Sequence, residues 1–226
     1  MRELSELLVN VIDDMASDNL IFSKEVQFQF ELAWRIQKEL CAEIEEGQFD
    51  ILFEQQLIPK KYTDLIVRIN EYYYPIELKY KTADKEINYQ YKDRCYTTYA
   101  QGAADVGCYS YLEDILRIRQ LRRVKLFDKY SFKEGFAIIM TNYPLYWGEG
   151  IHNNSNWGEF CLNSPKENRI DWKNKAPSKE TEVALDFTER IEEFEWREYN
   201  HNCKELKNGP KEKAHPIRYC IHKVMV

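Results

Sequence analysis

Residues 62–81 read YTDLIVRINEYYYPIELKYK, and this stretch decides the fold. In both halves, apolar residues alternate with other residues at the two-residue period of a β-strand, and β-branched and aromatic side chains are frequent. The residues around Asn70 and Glu71 supply a turn between the halves. The stretch therefore predicts a β-hairpin.

The predicted hairpin brings ionisable side chains to one face. Asp64 lies on the first strand, and Glu77 and Lys79 lie on the second. With Glu71 and Tyr72 as the loop, Asp64 falls opposite Lys79, and Glu77 is a diagonal neighbour about 7–8 Å away. A slip of one residue would move Asp64 to the other face, which the hydrophobic alternation opposes. This face suits divalent-metal binding and phosphodiester hydrolysis, although a cross-strand Asp64–Lys79 salt bridge would use the same residues.

Composition limits the class of protein. The chain has 226 residues, enough for a single domain over residues 1–226, and no apolar run is long enough to span a membrane. Its 6 cysteines include no CxxC pair, which predicts free thiols and a cytoplasmic protein. The net charge is −6, and only residues 61–135 hold more Lys and Arg than Asp and Glu. A nucleic acid would therefore have to be held by a local basic patch.

Periodicity predicts the order of the other elements. The expected helices cover residues 3–15, 24–46 and 97–122, and the expected strands outside the hairpin cover residues 50–57 and 136–140. Together with the hairpin, they give a core over residues 23–142 with the order helix, strand, strand, strand, helix, strand. This order predicts an α/β (α+β) fold in which helices flank a mixed central β-sheet.

Residues 143–226 are predicted to form a C-terminal extension of this core. Residues 143–180 are rich in Asn, Trp, Gly, Pro and Lys, which predicts a long irregular excursion. Residues 183–199 are predicted to form a helix, and residues 217–226 a final strand that returns to the sheet.

The residues in this order resemble the PD-(D/E)XK nuclease superfamily, which has the restriction-endonuclease-like fold. Thr63-Asp64 matches the first acidic motif of that superfamily, with Thr63 where a proline is frequent, and Glu77-Leu78-Lys79 matches the second, E-x-K. The resemblance covers residues 23–142. The stretches QGAADVGCYSYLEDI and IIMTNYPLYW also look like a poorly characterised bacterial branch of these proteins.

The resemblance implies a nuclease that hydrolyses phosphodiester bonds of DNA with Mg²⁺ or Mn²⁺. Asp64 and Glu77 would be catalytic carboxylates that bind the metal, and the backbone carbonyl of Leu78 would be a further ligand. Bound metal acidifies a water and polarises the phosphoryl oxygen. Lys79 would be the third catalytic residue, which orients the water and stabilises the developing charge.

The resemblance also implies an acid on the helix before the first strand. Glu31 is the candidate metal ligand, because Gln27 and Glu31 lie one turn apart on a face that borders the predicted apolar stripe. The alternative is a solvated glutamate, since most acids on helices are solvated. That stripe is expected to comprise Val26, Phe30, Ala33, Trp34, Leu40, Cys41 and Ile44.

Polar residues of the third predicted helix are candidates for substrate binding. Gln101 lies one turn before Asp105 near the start of that helix, where capping around Gly102 is the alternative role. A basic run near the end of the helix could bind phosphates, or could be a solvated helix end with favourable cations. This run comprises Arg117, Arg119, Arg122, Arg123 and Lys125.

The sequence leaves several classes of function open. A DNA nuclease is the first hypothesis, with a homodimer suggested by analogy because cutting both strands usually takes two active sites. A catalytically inactive nuclease-fold protein, which acts as a binding or assembly module, is the second; the acidic balance and the aromatic extension favour it. A small-molecule enzyme is the third, and the sequence supplies no nucleophile for it.

Overall fold

The computed structural model describes residues 3–148, 155–199, 204–205 and 216–226. Parts of the predicted irregular excursion and of the segment before the final strand lie outside these residues. The α-helices are α1 (Leu4–Ser17), α2 (Glu25–Glu43) and α3 (Ala104–Leu121). The first strands are β1 (Phe49–Ile58), β2 (Lys61–Ile69), β3 (Tyr72–Lys81), β4 (Ile87–Tyr91), β5 (Arg94–Thr98), β6 (Lys125–Leu126) and β7 (Tyr130–Phe132). The later strands are β8 (Glu134–Thr141), β9 (Lys166–Ile170), β10 (Leu185–Ile191), β11 (Arg197–Glu198), β12 (Lys204–Glu205) and β13 (Arg218–Met225).

The central sheet is mixed. Its strand order is β1-β2-β3-β8-β13-β11, with β6 and β7 attached beside β3. Strands β1, β2 and β3 form an antiparallel meander, and the chain then crosses through α3 to β8, which lies parallel to β3. Strand β13 returns antiparallel to β8, as the prediction for residues 217–226 requires. The predicted α/β fold with a mixed sheet flanked by helices is confirmed.

Helices cover both faces of the sheet, and each face carries its own core. Leu65 and Val67 of β2 and Leu78 of β3 pack with α1 and α2 on one face. Ile66 of β2 and Ile139 of β8 pack with α3 on the other. Successive strand residues point to opposite faces, so Asp64, Glu77 and Lys79 belong to the face that α3 covers.

The hairpin register differs from the prediction. The observed pairs are Ile69 with Tyr72 and Leu65 with Ile76, so the loop is Asn70–Glu71 and not Glu71–Tyr72. Asn70 has φ 53°, a left-handed conformation that asparagine tolerates better than most residues. The predicted pairing of Asp64 with Lys79 is therefore wrong by two positions. A shift of two residues keeps each side chain on its face of the sheet. Asp64, Glu77 and Lys79 therefore still share one face, as predicted.

Two helix predictions also need correction. Residues 183–199 contain β10 and β11 instead of a helix, because Leu185 and Phe187 are buried at the two-residue spacing of a strand. The predicted helix over residues 97–122 begins only at Ala104, and the residues before it include β5, which pairs with β4 as an inserted hairpin. Aromatic and β-branched residues in that segment favour a strand.

The buried face of α2 agrees only in part with the prediction, since Ala33 and Leu40 are buried as expected. Its buried apolar residues are Phe28, Leu32, Ala33, Ile36 and Leu40. Val26, Phe30 and Trp34, which recur every four residues, are instead exposed. Both stripes have helical spacing, so periodicity alone could not choose between them. None of the described helices is long and apolar enough to cross a membrane.

The two phenylalanines of α2 test this orientation. Phe28 is fully buried, and its ring lies 5.5 Å from that of Phe22, whereas Phe30 is 65% exposed. We expect Phe28→Ala to lower the free energy of unfolding by about 3–5 kcal/mol through lost burial and a cavity. Phe30→Ala, the matched control, should change it by less than about 0.5 kcal/mol. Denaturant unfolding measures both, and equal effects would contradict the orientation of α2.

Candidate functional site

Strands β2 and β3 part at the position of Asp64. Leu65 with Ile76 is the last pair between them, although β3 continues to Lys81 along β8. In the gap, the Leu78 N–H donates to Oδ2 of Asp64 at 2.6 Å, and the Tyr80 N–H donates to Oε2 of Glu25 at 2.7 Å. Two carboxylates thus replace the carbonyl acceptors that a neighbouring strand would supply.

Glu77 lies under α3 and is held there by an arginine. Its side chain is 1% exposed. The Arg117 guanidinium donates from Nε to Oε1 of Glu77 at 2.9 Å and contacts Oε2 through Nη2 at 2.6 Å. The first contact is a hydrogen bond, whereas the second is an ion-pair contact, because Oε2 of Glu77 accepts no hydrogen bond. Both oxygens of Glu77 therefore lie within ion-pair distance of one cation.

Asp114 completes the arrangement from α3. Its Oδ1 lies 2.7 Å from Nη2 of Arg117, one turn along the helix, and its Oδ2 lies 2.8 Å from Nζ of Lys79. We call Asp64, Glu77, Lys79, Asp114 and Arg117 the hairpin–α3 cluster. The cluster joins all three predicted catalytic residues to two residues of α3.

Close packing of α3 on β8 makes these contacts reachable. A Cβ atom at Gly135 would lie 2.3 Å from Cγ2 of Ile118, so any larger residue at this position of β8 would force Ile118 to shift. The Tyr111 hydroxyl donates to the carbonyl of Ala137 at 2.9 Å, which fixes the helix along the strand. Asp114 and Arg117 lie beside this buried stripe and project towards β3.

Burial sets the protonation of the acids in the cluster. Burial raises the pKa of Asp64 to about 6, against the opposing effects of the Leu78 N–H and Lys79. Burial also raises the pKa of Glu77, and the Arg117 guanidinium lowers it by less. Burial lowers the pKa of Lys79, but Asp114, Glu25 and Asp64 together more than compensate, so the pKa of this amine is raised.

Negative charge exceeds positive charge around the gap. Glu25 contributes to the electrostatics of both Asp64 and Lys79. The acids near the gap are Glu25, Asp64, Glu77 and Asp114, and the bases are Lys79 and Arg117. A site with this imbalance favours either protons or an added cation.

The donor set at the gap fits a hard divalent cation. Asp64 and Glu77 supply carboxylate oxygens, and Leu78 supplies a carbonyl, which lies on the same strand edge as its N–H and therefore faces the gap. Among the described residues, no three His, Cys, Asp or Glu side chains are arranged as a metal site. Glu77 is in contact with Arg117, and its buried Oε2 accepts no hydrogen bond.

Several residues at the gap carry no sequence motif. Gln29 of α2 donates to the backbone carbonyl of Asp64 at 2.8 Å and to Oε1 of Glu54 at 3.2 Å. Glu54 itself has φ 51°, which interrupts β1 beside Asp64. Glu25 shares a helix face with Gln29, one turn away, and this spacing is the signal that could have identified it.

Glu31 does not join the cluster through its contacts. Its Oε1 accepts a hydrogen bond from Nε of Arg35 at 2.6 Å, and Arg35 also contacts Asp18 of the segment after α1. Glu25 is the acid of α2 that reaches β3. Glu25 lies six residues before Glu31 in the chain.

The predicted substrate-binding residues separate into different environments. Arg117 belongs to the hairpin–α3 cluster, whereas Arg119 donates to the carbonyl of Arg190, and Arg122 contacts Oε1 of Glu189 at 2.6 Å. Arg119 and Arg122 therefore fasten β10 to α3. The two remaining candidates are Gln101, whose N–H donates to the carbonyl of Ala83, and Arg123, which is exposed.

No family model matches the chain, and neither a curated protein nor a solved structure shows significant similarity to it.

The raised pKa of Asp64 predicts a pH dependence of stability. Between its ordinary value of 3.8 and about 6, the folded state binds more protons than the unfolded state, so the free energy of unfolding should fall as pH rises through this window. We expect Asp64→Asn to remove about 1–3 kcal/mol of this decline, while its side-chain oxygen still accepts from Leu78.

Urea unfolding at intervals from pH 4 to pH 7 measures this effect. Asp186→Asn, at an exposed position of β10, is the matched control and should keep the wild-type dependence. Parallel curves for Asp64→Asn and wild type would show that the pKa of Asp64 is not raised.

Proposed function

We propose that the protein is a Mg²⁺- or Mn²⁺-dependent nuclease that hydrolyses phosphodiester bonds of DNA. The observation that carries the proposal is the meeting of Asp64 with Leu78 where β2 and β3 part, with Glu77 and Lys79 on the same face of the sheet. The resemblance supplies DNA as the substrate and a homodimer as the assembly.

The order of elements supports a restriction-endonuclease-like fold. Helix α2, the meander β1-β2-β3, the crossover helix α3 and the parallel strand β8 follow one another as in the core of that superfamily. The inserted hairpin β4–β5 lies between β3 and α3 and leaves this order intact. Strand β13 extends the core on the far side of β8.

The chain's own residues have separable roles in this proposal. Asp64, Glu77 and the Leu78 carbonyl would hold the metal, which when bound acidifies a water and polarises the phosphoryl oxygen. Lys79 is kept charged and oriented by Asp114, at 2.8 Å, so it can stabilise negative charge that develops on the phosphate. Glu25 and Gln29 hold the two sides of the gap apart by binding backbone groups of β3 and β2.

A binding or assembly module remains the second candidate, and the internal pairing of the cluster favours it. Arg117 forms an ion pair with Glu77, and Lys79 forms one with Asp114, so these four charges are paired without a ligand. A buried ionic network of this kind can serve to specify a fold. In that case the protein would bind no divalent cation at the gap.

Cleavage assays distinguish the two functions. We expect wild-type protein to cut DNA with Mg²⁺ or Mn²⁺, and Asp64→Asn and Lys79→Met each to lower the rate at least about 100-fold, as expected for loss of a metal ligand or a charge-stabilising group. Single-stranded, double-stranded and RNA substrates should be compared under the same conditions.

Circular dichroism should show that both variants remain folded, and Asp186→Asn should cut at the wild-type rate. Full activity in both variants would exclude this site. Complete inactivity of the wild type, together with no calorimetric Mn²⁺ binding, would favour the binding module.

A further inference from the structure

We propose that Arg117 is a displaceable internal cation, which occupies Glu77 until a divalent metal replaces it and a substrate phosphate receives it. The inference rests on the proposed nuclease function and adds a control step to the same site. In this exchange, metal binding at Glu77 frees Arg117 for the phosphate, and phosphate binding keeps Arg117 away from Glu77.

The contacts of Glu77 carry the first step. Both of its oxygens lie within ion-pair distance of Arg117: Oε1 accepts a hydrogen bond from Nε at 2.9 Å, and Oε2 lies 2.6 Å from Nη2 without a hydrogen bond. Mg²⁺ takes oxygen ligands at about 2.0–2.1 Å, in an octahedral geometry that a guanidinium on the same carboxylate obstructs. Arg117 and a metal therefore compete for Glu77.

The surroundings of Arg117 allow it to leave. Its side chain is 15% exposed, in contrast to the 1% of Glu77, so part of the Arg117 side chain reaches the surface. Asp114, at 2.7 Å, holds Nη2 from the same helix and can keep contact while the other nitrogens turn outward. Arg117 has a partner on its own helix that does not depend on Glu77.

The charge of Glu77 explains why Arg117 would leave only as a metal ion arrives. Removing Arg117 alone would leave Glu77 buried without a counter-ion, which is costly. A divalent cation brings the missing positive charge to Asp64 and Glu77 as the guanidinium departs. The freed guanidinium then matches a phosphate group, for which its planar set of donors is suited.

Calorimetric titration with MnCl₂ tests the competition without using activity. We expect Arg117→Gln to bind Mn²⁺ at least about tenfold more tightly than wild type, because the amide is neutral and releases Glu77. Arg117→Lys keeps the charge but cannot contact both oxygens of Glu77 as the guanidinium does, so it should fall between the two. It also provides a second variant if the glutamine variant fails to fold. Arg169→Gln, whose arginine is 70% exposed on β9, should match wild type.

Cleavage kinetics at saturating Mn²⁺ test the second half of the exchange. Arg117→Gln should raise KM for DNA with little change in kcat, because it removes a contact to the substrate phosphate. A purely structural arginine would not give tighter metal binding together with weaker DNA binding.

The outcomes separate this inference from the proposed function. Unchanged or weaker Mn²⁺ binding by both Arg117 variants, with measurable binding by wild type, would overturn the exchange and leave the nuclease proposal standing. Absence of Mn²⁺ binding in wild type and in every Arg117 variant would overturn the metal site itself.

Discussion

Glu77 is a carboxylate buried between β3 and α3, and its charge has to be compensated by neighbouring side chains. The contacts between β3 and α3 around it depend on this requirement. The Arg117 guanidinium meets both of its oxygens, and this contact ties α3 to β3 across the sheet. Asp114 then couples the same guanidinium to Lys79. The close approach of α3 to the sheet at Gly135 is the packing condition under which these side chains can meet.

The gap between β2 and β3 is the second constraint, and it arises from backbone groups. Where the two strands stop pairing, N–H groups of β3 need acceptors, and Asp64 and Glu25 provide them. Carboxylates brought there for this reason are also the oxygen donors that a hard cation prefers. Structural and chemical roles therefore overlap at the same atoms.

The sequence was sufficient for the features that depend on local pattern. Alternation in residues 62–81 placed Asp64, Glu77 and Lys79 on one face even though the register was wrong, because side chains repeat every two residues. The turn was misplaced because several neighbouring residues are suited to a turn and only the backbone shows that Asn70 adopts the left-handed conformation.

Features that depend on packing between distant segments of the chain cannot be predicted from local sequence pattern. Asp114 lies far along the chain from the hairpin, and its role follows only from how α3 docks on the sheet. Two apolar stripes on α2 have similar spacing, so the choice of the buried one had to come from its neighbours. The helix predicted over residues 183–199 failed because Leu185 and Phe187 fit a strand equally well.

The hydrogen bond from the Leu78 amide to Asp64 makes that amide a natural spectroscopic sensor. Its proton points directly at a carboxylate oxygen at the mouth of the gap. Any change in the electron density of that oxygen, whether by a proton, an ion or a new neighbour, alters the strength of this one hydrogen bond. The nitrogen and proton resonances of a single backbone group would thus report the occupancy of the whole site.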